Sequence, residues 1–151
     1  MKKSARLAPL LKLEQNREQE KVRMLGEARS RVSLEQQKLK QLVEYRAEYE
    51  RLVTQEGSQG IPASRLQGYH QFLNRLTAAI NQQEQQLAQV RQQETVAQQN
   101  WLQQRGAVKR MDTLVERSVQ QERRDEEKRE QKMLDEQAQL AFLQRRSGGF
   151  Q

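Results

Sequence analysis

From Leu66 to Val115 one heptad register runs without a slip. Leu66, Tyr69, Leu73, Leu76, Ile80, Gln83, Leu87, Val90, Glu94, Ala97, Trp101, Gln104, Val108, Met111 and Val115 follow one another in alternating steps of three and four. A repeat of 3.5 residues held that long requires a helix wound on another helix, not a helix lying on a sheet. A two-helix seam offers no concave pocket, so the pattern points away from enzymes. Composition agrees: 34% of residues are hydrophobic, 31% are charged and mean hydropathy is −1.09, too polar for a compact core. Such numbers alone also fit disorder. The sustained heptads decide for an all-α coiled coil, as do the few helix breakers, two prolines and seven glycines.

The expected architecture is two long helices forming an antiparallel coiled-coil hairpin, the second helix longer, as a single coiled-coil rod over 1–151. Helix one spans about 9–55, with Pro9 suited to a first turn because its missing N–H is not needed there. The hinge covers 56–64, where Gly57, Gly60 and Pro62 stop a helix. Ser64 and Gln67 are spaced as a capping box opening helix two, which spans about 65–144 and passes through Gly106 in register. A flexible tail, 145–151, follows. The first helix's seam reads Leu11, Glu18, Leu25, Val32, Leu39, Arg46 and Val53 on one row. Its other row reads Gln15, Val22, Arg29, Gln36, Val43 and Glu50.

A short hinge makes the helices antiparallel neighbours. With the turn centred between Gln59 and Gly60, Ile80 meets Leu39, Leu87 meets Val32, Leu76 meets Val43 and Ala97 meets Val22. Gln83 then meets Gln36 and Gln104 meets Gln15, polar layers that fix register at a cost in stability. Leu73 faces Arg46, whose long side chain can snorkel out. Trp101 is a packing residue or a partly exposed recognition anchor.

In this register helix two overhangs beyond Val115. The charged stretch 122–130 is supported by pairs one turn apart, Arg123 with Glu127 and Asp125 with Arg129. Apolar residues then return: Met133, Leu134, Leu140, Phe142 and Leu143. Near the other terminus Arg6, Leu7, Leu10, Leu11 and Leu13 form a similar cluster. Both are candidate partner-binding surfaces, or they fold back on each other.

Formal net charge is +7, spread thinly and interleaved with acids. A nucleic-acid stripe would concentrate the cations on one face, and near-equal opposite charges at 122–132 suit a basic DNA-reading helix poorly. Lys2, Lys3, Arg6 and Lys12 precede any acid, as a solvated end or a contact for an acidic or phosphate surface. The chain has no cysteine, hence no thiolate metal site. His70, the only histidine, flanks the seam without ligand partners. No phosphate-binding glycine loop occurs, and no run of about 18 apolar residues could span a bilayer. No catalytic residue, cofactor or metal is expected. The glutamine-rich stretch 81–86 reads as an uncharged outer face.

Several blocks resemble the flagellar FliJ family in order and spacing: Arg6-Leu7-Ala8-Pro9-Leu10-Leu11-Lys12-Leu13, Tyr45-Arg46-Ala47-Glu48-Tyr49, Gly68-Tyr69-His70-Gln71-Phe72-Leu73, and Lys128-Arg129-Glu130-Gln131-Lys132-Met133-Leu134-Asp135-Glu136. The resemblance implies a cytoplasmic component of the flagellar type III export apparatus, peripheral at the inner membrane. It would be a stalk that binds the export ATPase ring and promotes its assembly, contacts the export gate membrane protein and escorts export chaperones. It implies contact with the membrane only through partner proteins. The injectisome counterpart shares the shape, and a basic coiled-coil nucleic-acid binder is the alternative of a different class.

Overall fold

The computed structural model describes residues 1–148. It contains two helices, α1 (Lys3–Ser58, 56 residues) and α2 (Ala63–Gly148, 86 residues). No strand occurs among the described residues. The two helices pack on each other as an antiparallel hairpin. Contacts divide the chain into two compact units. One is Gln19–Gln103 and contains the turn; the other joins Met1–Glu18 to the chain from Gln104 onward.

Both helices are longer than the sequence spacing predicts. α1 starts at Lys3, so Pro9 lies inside it. A proline there forfeits one main-chain hydrogen bond, and Ser4 and Leu7, in the turn before it, are half-buried. The turn shrinks to 59–62. Gly57 stays helical, and among the described residues only Gly60 takes a positive φ, +82°. Gln59 N–H donates to the Glu56 carbonyl and Gly60 N–H to the Gly57 carbonyl. These tightened bonds, followed by a left-handed glycine, form a helix C-cap. The expected capping box is absent. α2 opens at Ala63, and the Pro62 carbonyl accepts from the amides of Arg65 and Leu66, which leaves Ser64 inside the first turn. Of the expected tail, 145–148 are helical and the last three residues lie outside the described ones.

The α2 seam from Tyr69 to Val115 is buried or half-buried at every position, and it continues through Ser118 and Glu122. Leu66, expected to begin it, is 38% exposed. On α1 the row Leu11, Glu18, Leu25, Val32, Leu39, Arg46, Val53 faces inward. The second row lies one residue earlier than expected: Glu14, Lys21, Ala28, Glu35, Leu42 and Tyr49. Val22 and Val43, placed opposite Ala97 and Leu76 by the sequence reading, are instead about half exposed, at 50% and 48%. The earlier row wins because it turns Leu7, Ala28, Leu42 and Tyr49 inward, whereas the expected one offers only two valines.

In the unit containing the turn, Val32, Leu87 and Val90 form a buried cluster with Leu39 packed against it. The expected meeting of Leu87 with Val32 therefore holds. The two polar layers are built differently from the expected glutamine pairs. Gln83 donates its amide to the Glu35 main-chain carbonyl at 3.1 Å and to the Glu35 carboxylate. Gln104, in the other unit, does the same to Glu14, at 3.0 Å to the carbonyl and 2.5 Å to the carboxylate. Arg46 stays half-buried in the seam, its Nε 3.2 Å from the Glu50 carboxylate.

Beside the turn, Tyr49 tilts against Phe72 with ring centroids 4.6 Å apart and meets Tyr69 edge-on at 5.8 Å. Tyr45 meets Phe72 edge-on at 6.2 Å. Such pairs contribute about 0.5–1.5 kcal/mol each beyond area burial. Tyr69 donates its hydroxyl to Glu56, and that hydrogen bond to a carboxylate pushes the phenol pKa up.

Candidate partner-binding surfaces

Among the described residues the eight buried side chains, including Leu25, Ala28, Ile80 and Leu87, all lie in the Gln19–Gln103 unit. Among the described residues of the other unit, none is buried. Half-buried seam residues and polar contacts between the helices hold that unit, so it is the place where the fold is least committed to itself.

The first polar contact is the Gln104–Glu14 layer. The second lies at the start of α1, where helical N–H groups have no intrahelical acceptor. Glu122 of α2 fills that role. Ser4 donates its main-chain N–H to Glu122 Oε1 at 3.0 Å and its hydroxyl to Oε2 at 2.7 Å. These two bonds, the hydroxyl's first, hold the Glu122 carboxyl below its ordinary value, with a smaller contribution from Lys2. A carboxylate near a helix N-terminus also suits the helix dipole. Because the native pKa is depressed, the contact's contribution is complete above the unfolded-state pKa. It is lost as pH falls through the depressed one. The Ser4 amide resonance should therefore titrate with a midpoint below the ordinary glutamate value of 4.5. In Glu122→Gln that titration should vanish.

This contact corrects the expectation that α1 partners end at Val115. The N-terminal cluster divides by burial. Leu7 and Leu11 are seam residues, half-buried against α2. Leu10 and Leu13 stay 46% and 45% exposed, and Arg6 is exposed. The structure thus separates the five: two serve the hairpin and three face outward.

Beyond Glu122 every described residue of α2, 123–148, is exposed. Arg123–Glu127 and Asp125–Arg129 ion pairs do not form among the described residues. Asp125 instead accepts from Gln121 at 3.1 Å, and Asp135 from Gln131 at 3.1 Å. Met133, Leu134, Leu140, Phe142 and Leu143 are 57–65% exposed. The C-terminal cluster does not fold back on the N-terminal one. Phe142 and Leu143 border a shallow apolar groove with Ala138 and Gln139. Trp101 is a half-buried seam residue and His70 is exposed. No group of three or more His, Cys, Asp or Glu residues is placed to hold a metal among the described residues. None of the described helices is long and apolar enough to cross a membrane.

Two features escaped the sequence reading. The aromatic cluster joins the Tyr45–Tyr49 and Tyr69–Phe72 blocks, and its signal was their similar distance from the turn. The Ser4–Glu122 contact had no pattern to announce it.

A family model described as "Flagellar FliJ protein" matches residues 2–147. The chain is 32% identical over 139 residues to the "Flagellar FliJ protein" of Escherichia coli (strain K12), covering 92% of this chain and 95% of that protein. It is 31% identical over 123 residues to the "Flagellar FliJ protein" of Salmonella typhi, covering 82% and 84%. No solved structure matches.

Proposed function

The chain belongs to the flagellar FliJ protein family and is a flagellar export component; from that premise we propose that it is a non-enzymatic coiled-coil stalk that docks on the export ATPase ring. On this reading it promotes assembly of the ring, contacts the export gate membrane protein and escorts export chaperones. It works in the cytoplasm, peripheral to the inner membrane, and touches the membrane only through its partners.

The observation that carries the reading is the exposed end of α2. Residues 123–148 stay helical with no side chain buried, and five large apolar side chains there are more than half exposed. Covering each would contribute ~1.5–3 kcal/mol, which the hairpin itself leaves unused. Arg6, Leu10 and Leu13 are the proposed auxiliary contacts, and Leu7 and Leu11 hold the end in shape.

The test is a pull-down of the flagellar export ATPase with Phe142→Glu/Leu143→Glu, alongside the assay of ATPase hexamer formation. Helicity and melting should match the parent chain, because both side chains are more than half exposed, while ATPase capture and hexamer promotion are lost. Full capture by the folded variant would remove the docking assignment.

A further inference from the structure

One flank of the Gln19–Gln103 unit differs in charge from the other. Residues that precede the seam by one, Met24 and Arg31 on α1 with Gln93 and Asn100 on α2, line a groove of about 180 Å³. Val96 and Ala97 complete its apolar wall. Met24 is 42% exposed and Val96 45%. The same heptad positions continue into a second groove of about 550 Å³, bordered by Lys38, Leu42 and Tyr45.

The α1 wall is basic. Lys21 and Arg31 have no ion-pair partner among the described residues, and Lys38 pairs with Glu35 at 3.5 Å. The one acid lining the smaller groove, Glu27, is already paired with Arg23 at 2.5 Å. The α2 wall carries no charge: by the heptad period Gln86 joins Gln93 and Asn100 there. The charges of that stretch, Glu84 and Arg91, follow seam residues and so lie on the other flank.

We propose that this flank seats an acidic amphipathic helix of a partner protein, which completes a three-helix coil. Two antiparallel helices with an apolar strip between them offer holes at a seven-residue period, the surface a third helix fills. Carboxylates of that helix face Lys21 and Arg31, and its other edge lies along the amide wall, where glutamines hydrogen-bond without demanding a charge. A second copy of the chain fits poorly because it carries the same basic flank and a net charge of +7. A nucleic acid would meet cations on one wall only. The inference is independent of the ring-docking reading, which concerns residues 133–143.

The experiment titrates the full-length chain with a labelled synthetic peptide of about three heptads. It has leucine at both seam positions and glutamate on the flanks, and it is compared with an otherwise identical peptide bearing glutamine for glutamate. The acidic peptide should bind about tenfold tighter than the glutamine one, and the difference should shrink as salt rises. Met24→Glu/Arg31→Glu should lose acidic-peptide binding by about tenfold or more, with helicity unchanged. Val22→Glu, on the opposite flank, should leave it intact. Absence of binding, equal binding of both peptides, or equal loss in Val22→Glu overturns the proposal. So does dimerisation of the chain, or nucleic-acid binding that Met24→Glu/Arg31→Glu abolishes in place of peptide binding.

Discussion

Ile80→Asp should melt the unit containing the turn. Ile80 is only 7% exposed, and it lies one turn before the Gln83 polar layer. Removing a buried isoleucine costs about 2–5 kcal/mol, and the new carboxylate must give up water with no cation built to receive it. A loss of about 4 kcal/mol or more is expected, read by circular dichroism as a fall in Tm of roughly 10 °C. Val43→Asp is the matched control. The alternative α1 row would make Val43 a seam residue, yet it is 48% exposed, so its loss should stay within about 0.5 kcal/mol. Equal damage from both substitutions would mean that α1 presents the other row.

The second large effect runs the opposite way. Gln83→Leu with Glu35→Leu should raise stability by about 1–3 kcal/mol, because a half-buried polar layer is exchanged for apolar packing next to the Val32–Leu87–Val90 cluster. Gln83→Leu alone should gain less, since it leaves the Glu35 carboxylate without its amide donor. Thermal melts of the two single variants and the double variant give the coupling. The gain in stability carries a loss of specificity. Cysteines at 32 and 87 should cross-link in the parent chain. Cysteines at 32 and 80, a heptad out of step, should cross-link only in the double-leucine variant. A double variant less stable than the parent would show that the layer stabilises the hairpin as well as aligning it.

These outcomes bear on how far residue patterns reach. The α2 seam was legible almost position by position, because a row containing Leu73, Leu76, Ile80, Leu87 and Val90 has no competing neighbour. On α1 the choice lay between adjacent residues, Lys21 or Val22, Ala28 or Arg29, Leu42 or Val43, Tyr49 or Glu50. Val22 and Val43 favour the wrong row, although Leu7, Ala28, Leu42 and Tyr49 outnumber them. Charged Glu14 and Glu35 hid the true row. They are tolerated inside because Gln104 and Gln83 grip their main-chain oxygens as well as their carboxylates, and a main-chain acceptor leaves no trace in residue identity. The exposure of Met133 to Leu143 was legible from the overhang. The partial burial of Leu7 and Leu11 was not, because it depends on α1 beginning at Lys3 and being held by Glu122.

The placement of the cross-helix bonds also sets an order of closure during folding. Tyr69 and Glu56 are 13 residues apart, Gln83 and Glu35 are 48, Gln104 and Glu14 are 90, and Ser4 and Glu122 are 118. Each bond made near Gly60 shortens the loop that the next must close, so the entropy of joining distant segments is met in small instalments. The molecule can therefore zip from the aromatic knot outward, avoiding the slow search that distant contacts otherwise impose.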